Sequence, residues 1–408
     1  MKRLSDIAMR VTRRVSLLAL CALLVPAVAG AQGVTTGVLS GVVSNVQGQP
    51  VAGASVFAIH DPSGTVYETT SRADGRFSLP GMRVGGPYSV TVNYVGTGAG
   101  TAFEPRTITG LQVTLGNATD VPVQVKMVNL TEMVTVTAAS PDAVFSSSRP
   151  GAAPAVARQE IALIPTLNGR LSDITRLTPQ ANGTNIAGND NRMNNITVDG
   201  STMNNSFGLG GQPGDRTGVA AISLESIEQV QVNVAPFDVR QGAFIGAGIN
   251  TVTRSGTNKL VGSFYHRFRD QSFVGTEAKG NTVNPGTFTF RNTGGWAGAP
   301  IIKNKWFVFG NYEDQNEERP LINFRANQGG EAVGGQVTRV LQSDLTALSA
   351  FLKQRFNYET GGFNDIPKTT PVRRFLIRSD YNINNSNKLS FRYNHLNSFT
   401  DVGLSSST

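Results

Sequence analysis

One stretch of the sequence constrains the fold more than any other: INTVTRSGTNKLVGSFYHRFRD, from Ile249 to Asp270. Its first half is a short β-branched run that stops at Ser255 and Gly256. After a four-residue turn a second strand begins, and its side chains alternate between two faces. Gly262, Phe264 and Phe268 fall on one face, and Ser263, Tyr265 and Arg267 fall on the other. The sequence therefore predicts a boundary here between a globular unit and a long two-faced strand.

The N-terminus has the layout of a secretory signal peptide. A basic start leads into an apolar run from Val15 to Val28, and small residues follow at Ala29 and Ala31. We expect residues 1–31 to be the signal peptide, with cleavage near Ala31. A retained membrane anchor is the alternative, but a spanning helix needs about 20 apolar residues. The one cysteine, Cys21, would leave with the signal, so the mature chain is expected to hold no disulfide and no cysteine metal site.

Composition and charge exclude several classes of protein. The chain of 408 residues contains 45 glycines and only 16% charged residues, which favours a turn-rich, β-rich protein over a helical bundle. Half of the formal net charge of +8 lies in the first 14 residues, and no basic stripe follows. Nucleic-acid binding needs clustered cations, so we expect no nucleic-acid partner.

Residues 34–128 read as short strands separated by turns. The segments GVVSNVQGQPVAGASVFA, TTSRADGRFSL and GPYSVTVNYVG give roughly seven strands, the spacing of a small β-sandwich, and Asp74-Gly75 is a hairpin signal. The order of turns and strands resembles the carboxypeptidase regulatory-like, transthyretin-type domain. The resemblance implies no peptidase activity. His60, His266 and His395 are isolated, so we expect no metal site, no cofactor and no catalytic residue.

Residues 129–157 form a candidate coupling segment and linker. LTEMVTVTAA is an extended β-branched run, and a Ser-, Pro- and Ala-rich stretch follows it. Such a segment can pair with the sheet edge of another chain; the alternative is that it is simply the last strand of the sandwich. The run also resembles the TonB box of TonB-dependent outer-membrane receptors, which implies TonB, a periplasmic energy-coupling protein, as a partner. The matching residues are Glu132, Met133, Val134, Thr135, Val136, Thr137 and Ala138.

Residues 158–256 resemble the plug domain of the same receptors. The resemblance is carried by NNITVDG, by the strand SIEQVQVNV and by the closing segment GINTVTRSGTN. Before them, NGRLSDITRLTP predicts a short helix with Leu171, Ile174 and Leu177 on one face. If the plug resemblance holds, a loop would face the extracellular ligand; a purely structural loop is the equal alternative. The residues in question are Asn204, Asn205, Asp215 and Arg216.

Residues 257–408 continue the two-faced pattern of an outer-membrane β-barrel. Residues 288–315 predict two strands, with Trp296 and Trp306 at an aromatic girdle. A long polar loop from about residue 316 to 371, with a helix near 338–356, precedes a final hairpin in which Leu389, Phe391 and Tyr393 oppose the polar face. The motif GAPIIKNKWFVFGNYE resembles the Oar-type (OmpA-related) subgroup of these receptors.

The predicted fold is thus mainly β: a sandwich, a mixed α+β plug, and the first strands of a transmembrane barrel with a long extracellular loop. About five strands follow Lys259, whereas a plugged transporter barrel has about 22. Lipid does not tolerate open sheet edges. We therefore expect this sequence to be the N-terminal part of a longer protein.

Three functional hypotheses follow. The first is a TonB-dependent receptor in the outer membrane that imports a siderophore, an oligosaccharide or a peptide. The second is a non-transporting surface or adhesion protein on the same scaffold. The third is a secreted carbohydrate-binding sandwich. No nucleophile elbow, P-loop or dinucleotide fingerprint occurs, so we expect no enzyme.

Overall fold

The computed structural model describes eleven ranges: 34–94, 103–126, 135–137, 155–166, 169–204, 213–236, 241–282, 287–321, 324–334, 337–363 and 367–402. The predicted signal peptide lies outside them. The described residues form three bodies, named here the sandwich (34–126 with 135–137), the middle unit (155–254) and the wall sheet (261–398).

The sandwich consists of nine strands in two sheets around one core. The strands are β1 Gly37–Asn45, β2 Ser55–His60, β3 Thr65–Thr70, β4 Arg76–Met82, β5 Gly85–Asn93, β6 Arg106–Val113, β7 Ala118–Asp120, β8 Val123–Val125 and β9 Thr135–Thr137. One sheet has the order β4-β1-β7, with β8 also on β1, and the other has the order β3-β2-β5-β6-β9. Leu39 and Val43 alternate into the core from β1, where they meet Phe77 and Tyr88. The sandwich fold predicted from the sequence is confirmed.

The turn at Asp74-Gly75 does not close a hairpin, and that detail of the prediction is wrong. It joins β3 to β4, which belong to different sheets. Gly75 has a φ of 73°, the left-handed region that glycine adopts without strain, and its amide donates to the Arg72 carbonyl at 2.9 Å. The tight turn therefore carries the chain from one sheet to the other.

The middle unit is a five-stranded mixed sheet with short helices around it. The five strands of this sheet are β10 Ala155–Ala157, β13 Asn195–Val198, β14 Ser201–Thr202, β15 Ile227–Asn233 and β16 Gly248–Thr253. β11 Ala181–Asn182 and β12 Asn185–Ile186 pair with each other in a separate two-stranded sheet. The sheet order is β10-β15-β16-β13-β14, with β13 parallel to β16. Short 3₁₀ helices span Asn191–Met193, Asp215–Thr217 and Leu224–Ser226. β10 therefore belongs to this sheet, three residues before the predicted start of the plug.

Three α-helices occur in the described ranges: α1 Arg158–Leu163, α2 Ser172–Thr175 and α3 Gln342–Phe356. None of them is both long and apolar enough to cross a membrane. In α2, Ile174 is buried, which fits the predicted apolar face. Leu177 is 54% exposed, because the helix ends at Thr175 and Leu177 no longer follows the helical spacing. The helix α3 lies in the predicted long connection and begins four residues later than expected.

The wall sheet is an antiparallel meander. The strands of this region are β17 Val261–Asp270, β18 Glu277–Ala278, β19 Asn281–Thr282, β20 Thr289–Ile302, β21 Trp306–Pro320, β22 Arg325–Asn327, β23 Val337–Leu341, β24 Pro367–Asn382 and β25 Lys388–Ser398. A 3₁₀ helix spans Gln271–Phe273. The wall itself has the order β17-β20-β21-β24-β25. The connections 303–305 and 383–387 are tight and lie at one end of the sheet; the two long connections lie at the other.

The wall has a largely apolar outer face, and its inner face carries buried polar residues beside apolar ones such as Phe309 and Leu376. Phe264, Phe268, Ile377 and Phe391 are half-exposed or more on the outer face. Asn292, Asn311, Glu313, Gln315, Glu317 and Arg374 are buried on the inner face. The alternation predicted for β17 and β25 is therefore confirmed.

The girdle position predicted for Trp296 is wrong. Trp296 points to the inner face, where the Arg254 guanidinium lies 3.5 Å from its ring centroid and Phe309 stacks beside it. Trp306 is 37% exposed next to the tight connection, and its Nε1 donates to Ser379 Oγ at 2.9 Å. The alternation of side chains along a strand shows which residues share a face, but it does not show which face packs against the middle unit.

Candidate functional site

The inner face of the wall holds the middle unit through buried ion pairs. Glu313 on β21 and Arg374 on β24 are register partners and form an ion pair. Glu313 also accepts hydrogen bonds from Ser223 Oγ at 2.7 Å and from the Tyr265 hydroxyl at 2.5 Å. Arg374 Nη1 donates to the Ala220 carbonyl at 2.8 Å. One cluster thus ties three wall strands to the loop before β15.

A second cluster surrounds Asp199, the aspartate of the VDG motif. Its φ of 45° turns the chain after β13, and its carboxylate accepts from the Thr253 amide at 2.8 Å and the Thr253 hydroxyl at 2.6 Å. From the wall, Arg378 Nη1 donates to Asp199 Oδ1 at 3.1 Å, and Arg392 Nε lies 3.5 Å from Oδ2. Asp380 pairs with Arg378 in turn. The motif that indicated a turn therefore also provides a charged contact to the wall.

A third cluster lies beside the helix α1. Glu225 pairs with Arg158, the first residue of that helix, and with Arg267 on β17 at 2.7 Å. Burial alone would raise the pKa of the Glu225 carboxyl, but the guanidinium groups of Arg158 and Arg267 hold it below its usual value. Burial, with the nearby Arg158 charge, lowers the pKa of Arg254 to about 10. Glu225 thus links a helix of the middle unit to the wall.

A small cavity with polar and apolar lining residues lies between α1 and the wall. Its volume is about 150 Å³, and its charged and amide lining residues are Arg158, Glu225, Arg267, Asn292, Glu313 and Arg374; Ile161, Ile164, Leu224 and Phe290 contribute apolar surface. The Asn292 Oδ1 atom is buried there and accepts no hydrogen bond from the described residues. Side chains of opposite charge therefore line a cavity between the middle unit and the wall that is large enough for a few water molecules.

The sandwich covers the other side of β15. Gln229, Gln231 and Asn233 alternate with Val230 and Val232, yet all five are buried. The Leu115 amide donates to Gln229 Oε1 at 2.7 Å. Leu115 also packs in a small buried cluster: Val34, Val84, Leu115 and Val252. The polar face of this strand is buried because another domain covers it.

A buried carboxylate lies at the same interface. Burial raises the pKa of Glu228, and the nearby charges of Arg83 and Arg254 offset this only in part. Glu228 is close to Gly85, where an added Cβ would lie 2.8 Å from Oε1. Gly85 also has a φ of 92°, a backbone conformation that glycine adopts without strain.

The sandwich also contacts the tight-turn end of the wall. The Asn258 amide donates to the Pro62 carbonyl at 2.8 Å, and Asn382 Nδ2 donates to Thr65 Oγ1 at 3.0 Å. Lys388 Nζ lies 4.0 Å from the centroid of the Tyr67 ring. The sandwich is therefore attached to both the middle unit and the wall.

The predicted coupling segment is described only at its centre. Thr135, Val136 and Thr137 form β9, which runs parallel to β6 with Val136 opposite Ile108. Glu132, Met133, Val134 and Ala138 lie outside the described residues. The backbone of Thr135–Thr137 is thus extended, and it forms the edge strand of its sheet.

The predicted ligand-facing residues do not form one site in the described part of the chain. Asn204 accepts from the Ile196 amide and donates to Asn195 Oδ1, both at 2.9 Å, so its side chain is used within the sheet. Asn205 lies outside the described residues. Asp215 and Arg216 are exposed in a 3₁₀ helix whose last residue, Thr217, bonds Ser398 at 2.8 Å. That end of β25 is the one opposite the sandwich.

The ion-pair clusters were not predicted from the sequence. A signal was present: Arg374, Arg378 and Asp380 are spaced by even numbers, so they share a face of β24 with Val372 and Leu376. Charges on a face that also carries apolar residues indicate an ionic contact with another body. In the described ranges no group of three or more His, Cys, Asp and Glu side chains is arranged to hold a metal ion.

Two domain families match the sequence. Residues 38–127 match the carboxypeptidase regulatory-like domain, and residues 252–328 match an outer membrane beta barrel domain. The TonB-dependent transporter Oar of Myxococcus xanthus is 26% identical over 214 residues, which cover 49% of this chain and 18% of that protein. The chain thus spans under a fifth of the relative it matches.

Part of the chain is similar to solved structures of two receptors and of one transporter. The siderophore receptor PirA from Pseudomonas aeruginosa is 13% identical, with a TM-score of 0.38 over 61% of this chain and 36% of that one. A ferric enterobactin receptor mutant from the same organism, in complex with enterobactin, is 14% identical, with a TM-score of 0.41 over 62% and 34%. The outer membrane transporter YddB from Escherichia coli is 13% identical, with a TM-score of 0.40 over 60% and 33%.

Proposed function

We propose, from the premise that this outer-membrane chain is a relative of the TonB-dependent transporters of the Oar type, that it serves to import an extracellular ligand. In this proposal the middle unit is the plug of a barrel whose first strands form the wall sheet. The ligand belongs to the siderophore, oligosaccharide or peptide class. TonB supplies the energy from the periplasm through residues 132–138.

The observation that carries the proposal is the ionic contact between the middle unit and the wall. Arg374 bonds Glu313 and the Ala220 carbonyl, and Arg378 bonds Asp199. Phe309 and Leu376 of the wall also pack in the core of the middle unit, so the interface combines apolar and ionic contacts. Domain interfaces with a large polar share permit relative motion of the two bodies. Side chains that bond each other in the closed state can bond water or a polar ligand once the contact opens. This interface therefore suits a plug that moves.

The two ends of the wall support an orientation in the membrane. In outer-membrane barrels short turns are periplasmic and long loops extracellular. On that rule the sandwich, which contacts the tight connections through Asn258 and Asn382, is periplasmic. Asp215 and Arg216 lie towards the extracellular end, through the contact between Thr217 and Ser398. The proposed ligand-facing residues and the proposed coupling segment are then on opposite sides.

The backbone of the coupling segment supports the role proposed for it. Thr135–Thr137 is already an edge strand, parallel to β6. An extended segment of this kind can add to the sheet of another protein through main-chain hydrogen bonds. We therefore assign the contact with TonB to the segment Glu132–Ala138.

The test is capture of the purified periplasmic domain of TonB by the full-length protein and its Val136→Pro variant. Proline removes an N–H group and fixes φ, and several main-chain bonds of about 0.5–1.5 kcal/mol each depend on the same register. We expect Val136→Pro to lose capture and Val136→Ala, which keeps the N–H, to retain most of it. Equal capture by wild type and Val136→Pro would make the segment a linker strand and favour the non-transporting surface protein.

A further inference from the structure

We propose that the cavity where the three bodies meet binds a small organic anion through its carboxylate or phosphate groups, and that the bound anion holds the sandwich against the wall. The cavity has a volume of about 640 Å³, within the range of pockets that bind small molecules. It is separate from the coupling segment, and binding there does not depend on transport.

The cavity lies on the inner face of the wall, at its tight-turn end. The connection 383–387 lines it through Asn385 and Ser386, together with the adjoining ends of β24 and β25. The sandwich contributes β3, the end of β4 and the segment that follows β4. The middle unit contributes residues that include Asp199 and Val252. A molecule in this space therefore contacts all three bodies.

Arg392 on β25 provides a guanidinium group that the protein uses only in part. Its side chain is 15% exposed, and its Nε lies 3.5 Å from Asp199 Oδ2, which is longer than an ordinary hydrogen bond. Its Nη1 is buried and donates to none of the described residues. Folded proteins seldom leave a buried donor unpaired. The guanidinium group is therefore available to another oxyanion.

Two further cations lie beside the same space, on either side of Tyr67. Lys388 Nζ is 4.0 Å from the centroid of the Tyr67 ring, and the Arg83 amide donates to the Tyr67 hydroxyl at 3.1 Å. Lys388 Nζ donates to the Asn385 carbonyl at 3.1 Å, and Arg83 Nη2 donates to the Gly256 carbonyl at 3.3 Å. Neither cation has a carboxylate partner among the described residues. Lys388 belongs to the wall and Arg83 to the sandwich, so both bodies present positive charge to the cavity.

The carboxylates around the cavity do not neutralise these cations. Asp380 is paired with Arg378 and accepts from Ser390 Oγ at 2.5 Å. Asp199 is occupied by Arg378 and by the amide and hydroxyl of Thr253. A third carboxylate, Glu68, lines the cavity but is exposed to solvent. The charge of Arg378 is therefore balanced, whereas Arg83, Lys388 and Arg392 remain to attract an anion.

The chemistry of these donors selects oxyanions. A guanidinium group presents parallel N–H groups that match two oxygens of a carboxylate or a phosphate, and an ammonium group adds a compact positive charge. Leu79, Val84 and Val252 also line the cavity and provide apolar surface for the organic part of a ligand. A soluble organic anion fits this combination. Because its partners belong to the sandwich and to the wall, the bound anion joins the two bodies.

The experiment is isothermal titration calorimetry on the full-length protein in detergent, with pyrophosphate as one probe and succinate as the other. The ionic strength is held constant with sodium chloride, so that general screening is the same in every titration. The variants are Arg392→Gln and Lys388→Gln on the wall and Arg83→Gln on the sandwich. Arg373→Gln is the matched control, because the Arg373 side chain lies on the outer face of the wall and is 73% exposed.

We expect one saturable site for pyrophosphate, with a dissociation constant that each of the three cavity variants raises by about tenfold or more, since hydrogen bonds to charged groups are strong enough for a factor of that size. Arg373→Gln should bind as the wild type does. Saturable binding of succinate alone, weakened by the same variants, would support the site and identify the carboxylate as the recognised group. Absence of saturable binding for both probes, or wild-type affinity in Lys388→Gln and Arg392→Gln, would overturn the proposal.

A second measurement follows the contact between the sandwich and the wall. The Asn258 amide donates to the Pro62 carbonyl across that contact at 2.8 Å. Pyrophosphate should slow hydrogen exchange of this amide in the wild type and have little effect in Lys388→Gln. That variant removes no ion pair of the described residues, so it serves even if Arg392→Gln does not fold. Binding that leaves the exchange unchanged, or that does not depend on Arg83, would confine the site to the wall and contradict its role between the two bodies.

Discussion

Glu313 and Arg374 form an ion pair in which each side chain is only 3% exposed, while the next residues outward, Asp314 and Arg373, pair at 49% and 73% exposure. Two pairs of the same chemistry thus lie side by side on the same two strands, one facing the middle unit and one facing outward. The strand period alone decides which pair is buried. The contrast supplies a matched experiment on the contact between the wall and the middle unit.

We expect Arg374→Ala to destabilise the folded protein by about 3–5 kcal/mol, because it leaves Glu313 buried without its partner. Arg373→Ala should cost no more than about 1 kcal/mol, since its exposed pair is weak. The measurement is the free energy of unfolding in detergent, followed by tryptophan fluorescence, to which Trp296 on the inner face contributes. Similar losses for the two variants would contradict a structural role for the inner pair.

On the outer face of the wall, the cost of a charged substitution should depend on how deep the residue lies in the membrane. Ile377 is half-exposed and pairs with Gly310, midway between Trp306 at the tight turn and Asp314. In a barrel, arginine on the lipid face costs about 2–4 kcal/mol at the midplane and about 0–1 kcal/mol near the interface. Ile377→Arg should therefore reduce the heat-resistant folded fraction in membranes far more than Tyr381→Arg, which lies opposite Trp306. A larger loss for Tyr381→Arg than for Ile377→Arg would contradict a membrane midplane at the level of Ile377.

A comparison of substitutions at Gly64 and Gly81 distinguishes the effect of backbone strain from the effect of a clash with the wall. Gly64 and Gly81 both have positive φ, 63° and 70°, but only at Gly64 would an added Cβ meet the wall, 2.2 Å from Asn304 Oδ1. We expect Gly64→Ala and Gly81→Ala to share a strain of about 1–3 kcal/mol. Only Gly64→Ala should also speed hydrogen exchange of the Asn258 amide, which donates to Pro62. Equal exchange in the two variants would mean that the sandwich contact does not depend on this close approach.

The sandwich should lose stability in mild acid because of His60. Burial, with a smaller contribution from the Arg83 charge, lowers the pKa of His60 to about 3, and its Nδ1 bonds Ser63 Oγ at 2.6 Å. Between pH 6.5 and about 3 the unfolded chain binds a proton at this residue and the folded chain does not. The free energy of unfolding should therefore fall as pH drops through this window, by at most about 1.4 kcal/mol per pH unit.

The measurement is urea unfolding of residues 34–126 at a series of pH values. His60→Gln cannot titrate, so its stability should change less between pH 6.5 and 4. Parallel curves for the variant and the wild type would show that other groups cause the pH dependence.

Much of the fold follows from local patterns, and the exceptions have physical causes. The alternation in β17 and β25 predicted the two faces of the wall, since it depends only on the strand period. The same rule gave no warning that Gln229, Gln231 and Asn233 would be buried, because the Leu115 loop that covers them lies far away in the chain. Trp296 was misplaced for the same reason: its partner, Arg254, belongs to another body.

The candidate site was less predictable than the fold. The VDG motif identified Asp199 as a turn residue, but nothing local indicates that its carboxylate also meets Arg378 and Arg392. Asp199 and Arg378 are 179 residues apart in the chain and belong to different bodies. A sequence motif can therefore locate one half of such a contact, and only the folded arrangement supplies the other half.

The position of β10 also has a consequence for how the chain folds. The hairpins of the wall join neighbouring segments, whereas Ala155 must find Gln231 at the far side of the middle unit. Because the entropic cost of closing a loop grows with its length, we expect the hairpins to form early and β10 to join its sheet late. Until it does, the alternating Val and Gln residues of β15 form an open edge. An edge of that kind pairs readily with other chains, so slow docking of three residues sets the period during which a newly exported molecule is prone to aggregate.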